Sequence, residues 1–349
     1  MSEASVIRTN GEKLAYYNFD KIFSFNAMWM FLIGARGLGK TYGAKKKAIT
    51  AAIKKHEQFI YLRRYKEELK TAQRTFFEDI YQEFPDWDFR SMGNEAQMAY
   101  MGSRDDKKRP WRTIGYFIPL STAQSQKSVS FPRVTTILFD EFIIEKGAIH
   151  YLPDEATAFT NFYSTVDRNK DKTKVFFMAN SVTITNPYFL AYDIRPKDNE
   201  EFIVKADGFM VVHIADSKDF SAGVYKTRFG KFIQGTDYAE YAVESGFADN
   251  HDALVSAKSA KAKYTYTIET KQGTFSVWID WTGPEYFIQE KRPKQEIVYT
   301  LMPEKMREGV TLMAYNDKMV QYLRTGFRND KVRFDSAKSR NAFVEIFKR

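Results

Sequence analysis

The run Gly34-Ala35-Arg36-Gly37-Leu38-Gly39-Lys40-Thr41 satisfies G-x-x-x-x-G-K-[ST] at every fixed position. Glycines at this spacing let backbone N–H groups close around phosphate oxygens, and a helix opening behind them adds favourable positive potential. Lys40 is expected to reach the β- and γ-phosphates of ATP, and Thr41 to hold Mg²⁺. Further along, the apolar run Thr136-Ile137-Leu138-Phe139 delivers two adjacent carboxylates, Asp140 and Glu141. Asp140 is the expected second Mg²⁺ ligand and Glu141 the general base that polarises the attacking water. A third apolar run, Val175 to Ala179, ends in Asn180, a polar residue placed to sense the γ-phosphate. The adjacent acid pair favours hydrolysis over phosphoryl transfer to a small molecule. Base recognition of the GTPase kind, N-K-x-D, is not supplied by Asn169-Lys170-Asp171-Lys172, where the acid falls in the wrong place.

These residues need a scaffold that brings strand ends together. Short apolar runs alternate with helical patterns up to about residue 190, the rhythm of parallel α/β units. The expected strands are 28–34, 58–64, 135–142 and 174–181. After the glycine-rich loop, Ala48, Ile49, Ala52 and Ile53 recur at helical spacing and are expected to face the sheet, with the Lys45-Lys46-Lys47 tract mostly outward. Past residue 256 the pattern changes. KYTYTIET, the turn KQG and TFSVWIDW read as a β-hairpin, with a further strand at 285–290 and helical segments at 303–308 and 336–348. The expected division is an ATPase domain at 1–205, a linker or small connecting subdomain at 206–247, and a second α/β domain at 248–349.

Composition bounds the rest. A chain of 349 residues with 44% hydrophobic and 28% charged residues is long enough for two cores. It has no cysteine, which excludes disulfides and thiolate metal sites, and its four histidines lack metal-ligand spacing. No run is long and apolar enough to cross a bilayer, so no membrane partner is expected, and the chain reads as intracellular. The net charge of +9 favours a polyanionic partner, and most of the excess lies after residue 250.

Taken together, GARGLGKT, QFIYLRRYKEEL, FPRVTTILFDEFIIEK, NSVTITNPYFL and KTRFGKFIQGTDY resemble the packaging ATPases of small, short-tailed phages of the phi-twenty-nine type. The match is dense over the first 240 residues or so and weaker beyond them. What the resemblance implies is an N-terminal RecA-like P-loop ATPase domain of the glutamate-dependent (ASCE) type. It further implies a smaller C-terminal domain of ribonuclease-H-like fold, vestigial as a nuclease. It also implies translocation of double-stranded DNA by a homo-oligomeric, pentameric ring, in the host cytoplasm and transiently at the prohead vertex, on a connector and a structural packaging RNA. Under the same resemblance Arg168 is the trans-acting arginine that completes a neighbour's ATP site, with Lys127 a second candidate and Arg36 a competing cis candidate. Lys66 is the preferred DNA contact, within the basic cluster Arg63, Arg64 and Lys66.

Two-metal nuclease chemistry needs several convergent carboxylates. Glu269, Asp280, Asp317, Asp330 and Asp335 show no such pattern, and the basic surplus of this region suits nucleic-acid binding and docking instead. The rival readings are a packaging terminase with an active nuclease, a cellular ring translocase or helicase, and a nucleotide-gated scaffold that does not hydrolyse.

Overall fold

The computed structural model describes residues 8–348 apart from 10–11, 14–15, 107–108, 127–128, 145–149, 182–185, 195, 197–199, 237–238, 240–241, 244–257, 284 and 330. Two compact units divide the chain. One comprises residues 1–183 with 196–248, the other 184–195 with 249–349.

The first unit is built on a nine-stranded mixed sheet. The strands of that sheet and its longer helices in chain order are β1 (Trp29–Gly34), α1 (Lys40–Lys55), β2 (Gln58–Arg63), α2 (Lys66–Arg74), β3 (Trp87–Met92), β4 (Glu95–Tyr100), β5 (Arg112–Pro119), β6 (Val134–Asp140), α3 (Glu155–Asp167), β7 (Lys174–Asn180), β8 (Phe202–Lys205) and β9 (Met210–Ile214). The spatial order is β8-β9-β1-β7-β6-β2-β5-β4-β3. Strands β9, β1, β7, β6, β2 and β5 run parallel, while β8 pairs antiparallel with β9 at one edge and, at the other, β4 pairs antiparallel with both β5 and β3. β1, β2, β6 and β7 are nearly continuous apolar runs because the parallel centre is covered on both faces. On one face α1 buries Ala48, Ile49 and Ala52 in a core with Met30, Leu32, Phe59 and Tyr61, and Ile53 packs at its margin. The other face is aromatic. Phe31 stacks on Phe177 at 4.0 Å, and Trp29, Phe139 and Phe159 from β1, β6 and α3 surround them.

Three sequence expectations change here. Residues 206–247 do not form a connector throughout, because Met210–Ile214 pair with β1 inside the sheet. The lysine tract is not simply solvated. Lys45 is buried, pairing with Asp79 at 3.1 Å and lying over the Phe76 ring, while Lys46 pairs with Glu83. Finally, 303–308 yields only a single 3-10 turn at Pro303–Lys305, because the backbone becomes extended at Met306, with φ −62° and ψ 130°.

The second unit holds β10 (Lys263–Thr270), β11 (Gly273–Asp280), β12 (Glu285–Gln289), β13 (Val298–Thr300), β14 (Val310–Leu312), α4 (Lys318–Arg328), β15 (Val332–Phe334) and α5 (Ala337–Lys348). Its six-stranded sheet has the order β14-β13-β10-β11-β12-β15. β10, β11 and β12 form an antiparallel meander, β13 and β14 lie parallel beside β10, and β15 runs parallel to β12. Ile268, Phe275, Val277 and Ile288 meet Val320 and Leu323 of α4 and Phe343 of α5 in one core.

Candidate active site

A strand that ends in glycine and turns directly into a helix must bend sharply. Gly37 and Gly39 take φ of 80° and 84°, values at which a side chain would be strained, so the loop from Gly34 to Gly39 closes before α1 begins at Lys40. Burial follows for Lys40, which is 5% exposed. Its ammonium donates to the carbonyls of Gly34 at 2.9 Å and Ala35 at 2.7 Å. Loss of hydration lowers the Lys40 pKa to about 7, and the Asp140 charge opposes that shift only in part. The ammonium is thus held against the loop, at the place where added negative charge gains most.

The acids arrive from β6. Asp140 accepts from Thr41 Oγ1 at 3.0 Å and from the Tyr61 hydroxyl at 2.7 Å. Burial first, and Asp140 second, push the Tyr61 phenol well above its usual range, so it stays a donor. Glu141 ends the strand with φ of 56°, outside the strand conformation, and its side chain is 57% exposed. Arg63 bridges the two acids, at 3.4 Å from Asp140 Oδ2 and 2.6 Å from Glu141 Oε2, with Glu68 at 3.7 Å behind it. β7 lies between β1 and β6 and sets Asn180 opposite Gly34. A cavity of about 300 Å³ opens between these groups, lined by Gly37 to Tyr42, Asp140, Glu141, Asn180 and the Tyr16 ring. Thr41 and Asp140 offer two hard oxygen donors 3.0 Å apart, a donor set that fits Mg²⁺.

The basic cluster after β2 has other work than the sequence suggested. Alternation along the strand sends Tyr61 and Arg63 to the cleft and Arg64 to the opposite face. There Arg64 is 2% exposed, donates to both oxygens of Glu155 in α3 at 2.7 and 2.9 Å, and caps the Phe142 carbonyl at 2.8 Å. Arg63 and Arg64 are therefore spent on carboxylates and are corrected from nucleic-acid contacts to internal ones. Lys66, the first residue of α2, is exposed.

Arg168 follows α3 in the left-handed conformation, exposed, with its guanidinium donating to Val129 O at 3.3 Å. That places it where β6 and β7 begin, whereas Asp140 and Asn180 are where they end. Seven residues of strand, about 20 Å, separate the two ends. Arg36 is exposed on the loop itself, its backbone N–H bonded to Ala242 O at 2.8 Å. Lys127 lies outside the described residues.

Sequence reasoning missed Tyr16, Tyr42 and Tyr61. Tyr42 follows the motif directly, lines the cavity and donates to Glu83. Tyr16 packs on Gly39, and the next residue ties its segment to the loop through Tyr17 N–H to Leu38 O at 2.8 Å. Only Tyr61 carried a signal, since it shares a strand face with Arg63.

The family model of podovirus DNA encapsidation proteins (Gp16) matches residues 11–349. The DNA packaging protein of Bacillus phage phi29 is 36% identical over 341 residues, covering 97% of this chain and 98% of that protein. Among solved structures, the bacteriophage phi29 viral genome packaging motor assembly matches with a TM-score of 0.72 at 35% identity, over 95% of this chain and 98% of that one. A crystal structure of the N-terminal domain of the phi29 DNA packaging ATPase matches with a TM-score of 0.51 at 41% identity, over 59% of this chain and 98% of that one.

Proposed function

This chain belongs to the podovirus DNA encapsidation (Gp16) family and is a phage DNA packaging motor protein, and from that premise we propose that it hydrolyses ATP in the cleft between β1 and β6 to move double-stranded DNA into a prohead. The observation that carries the reading is the 3.0 Å bond from Thr41 to Asp140. It joins the phosphate loop to the acid-bearing strand at the point where a nucleotide's metal must sit.

In this reading the N–H groups of Gly37 to Thr41 and the Lys40 ammonium take the phosphates. Thr41 and Asp140 would hold Mg²⁺, which when bound would neutralise charge at the phosphate oxygens. Tyr61 keeps Asp140 aimed at that position. Glu141 is the general base, and Asn180 orients water and γ-phosphate. Arg63 occupies Glu141 Oε2 at 2.6 Å, so turnover requires that oxygen to leave Arg63 before it can accept a proton from water.

The position of Arg168 supports a role on a second copy, because its own cleft lies at the far end of β6 and β7. A ring, pentameric in this proposal and seated on a connector and a structural RNA, would bring it to the neighbour's γ-phosphate. Exposed Lys66 is the proposed DNA contact, and as a phosphate contact it would read no sequence. The strand order around β1, with β7 between the loop strand and the acid strand, supports an ASCE core of RecA-like type. In the second unit, a meander followed by parallel strands beside its first strand supports a ribonuclease-H-like fold. We assign that unit to nucleic-acid binding and docking.

The test is DNA-stimulated ATP turnover with mixed variants. Arg168→Ala alone should be nearly inactive, and mixing it with Glu141→Gln should restore activity, because one copy lends its arginine to a copy that keeps its glutamate. Recovery in no mixture, with co-assembly verified, would return Arg168 to a role within its own chain.

A further inference from the structure

At the end of the sheet opposite the nucleotide cleft there is a second cavity, of about 260 Å³, on the α1 face of the first unit. Arg112 at the start of β5 and Arg133 just before β6 point cationic groups at it, with His56 at the end of α1 and Glu57 ahead of β2 completing the rim. Arg112 is fixed rather than free. Its guanidinium donates to Ala52 O at 3.0 Å and to His56 Nδ1. Arg133 is exposed, and its guanidinium has no hydrogen-bond or ion-pair partner among the described residues. Glu57 lines the same cavity, where its carboxylate accepts from Thr135 Oγ1 at 2.8 Å and forms no ion pair within 4.0 Å among those residues.

Two guanidiniums on one cavity, neither with a carboxylate within ion-pair distance among the described residues, repel one another, and a bound anion relieves the repulsion. Burial first, and the Arg133 charge second, hold the Arg112 pKa below the usual guanidinium range, consistent with this crowding. Planar forks of this kind match the oxygens of a phosphate. Lys54 and Lys55 lie exposed in the last turn of α1, directly before His56 in the chain. Lysines at a helix C-terminus are favoured by the helix dipole alone, so they carry nothing by themselves. Beside the arginine pair, however, they extend the cationic surface beyond what one small ion needs, which favours a chain of phosphates.

We propose that Arg112 and Arg133 form a phosphodiester site that holds the backbone of a polynucleotide at the nucleotide-distal end of the sheet. The site is separate from the ATP cleft, and its test needs no ATP turnover, so failure of the catalytic assignments would leave it standing.

The experiment uses the full, nucleotide-free chain and its Arg133→Ala and Arg133→Lys variants, with a short labelled DNA duplex and the matching RNA duplex. Binding is followed by fluorescence anisotropy over a salt series, and inorganic phosphate is a third probe. Arg133→Ala should weaken binding for every duplex sequence and reduce the log–log salt slope by about 0.9 for each phosphate that the protein no longer neutralises. Arg133→Lys, which keeps the charge, should retain most of the slope. Weaker binding of DNA alone assigns the site to the packaged genome, of RNA alone to a structural RNA, and of both to either backbone, each upholding the proposal. Unchanged affinity and slope on both duplexes, or a response to inorganic phosphate only, overturns it.

Discussion

The two units use their acids in opposite ways. In the first, Asp140 and Glu141 come from one strand end and are held by side chains alone, namely Thr41, Tyr61 and Arg63, at the wall of a cavity. In the second, each candidate acid has separate partners. Glu269 pairs with Arg307 through both oxygens, at 2.9 and 3.1 Å. Asp280 accepts from Ser259 and twice from Thr282, Asp317 caps α4 through Met319 N–H, and Asp335 accepts from Glu290 N–H. Asp330 lies outside the described residues. Among the described residues no group of three or more His, Cys, Asp or Glu side chains could hold a metal ion. The first unit does not need one, since phosphate oxygens would complete its metal shell. A nuclease of the second unit would, because its substrate brings fewer oxygens. Carboxylates do chemistry where they converge on open space, and structural work where each is bonded to partners of its own.

Breaking the comparison at its strongest point means exchanging the two aspartates in one experiment. Asp140→Asn should cut Mg²⁺-dependent ATP turnover by about 10³-fold, within the range of lost metal and acid–base contributions. Asp280→Asn should leave turnover unchanged. Metal-dependent DNA cleavage that disappears in Asp280→Asn would instead make the second unit a working nuclease.

Next in size is the internal arginine. Arg64→Ala strands Glu155 without its partner in a buried site and should cost about 3–5 kcal/mol of stability in denaturant unfolding. Arg63→Ala, whose partners reach solvent, should cost less. Equal losses would erase the distinction drawn between the two arginines.

A pH effect follows for Lys40. Its pKa is lowered to about 7 in the nucleotide-free protein, so the ammonium is lost as pH rises above that value, while phosphate binding requires it. Nucleotide binding should take up a proton above pH 7, and affinity should fall by up to about tenfold per pH unit there. Calorimetry in buffers of different ionisation enthalpy reads the proton directly, and a pH-independent affinity between 7 and 9 would refute the shift.

The smallest effect belongs to Asp280, whose hydrogen bonds from Ser259 and Thr282 lower its pKa to about 2. A depressed carboxylate stabilises the fold above its unfolded pKa, about 3.9, and that contribution fades as pH falls toward 2. Asp280→Asn should flatten the acid limb of the unfolding midpoint slightly, without shifting its form at neutral pH. An unaltered acid limb would remove Asp280 from the structural role given to it.

How much of this the sequence shows depends on whether a residue's partner is local. β1, α1, β2, β6 and β7 were legible because unbroken apolar runs and one helical repeat are local patterns. Asp317 followed by Val320 and Leu323 also spells out a capped helix, and α4 was nonetheless missed amid polar neighbours. β9 was missed because Met210–Ile214 looks like any short apolar run, and only its pairing with β1 makes it part of the sheet. The site divides in the same way. The proposed phosphate-loop residues declare themselves by fixed spacing, but Arg63 and Arg64 are neighbours with opposite fates, decided by Asp140 and Glu155 far along the chain. Tyr16 reaches the cleft only because its segment hydrogen-bonds to the loop.

The central claim is that the acid pair of the first unit performs the hydrolysis that drives packaging, and Glu141→Gln tests it most directly. With duplex DNA present, the variant should bind ATP with the parent's affinity and hydrolyse it at least about 10²-fold more slowly in a single turnover. Hydrolysis at the parent's rate would contradict the account, because the base would then have to be some other group.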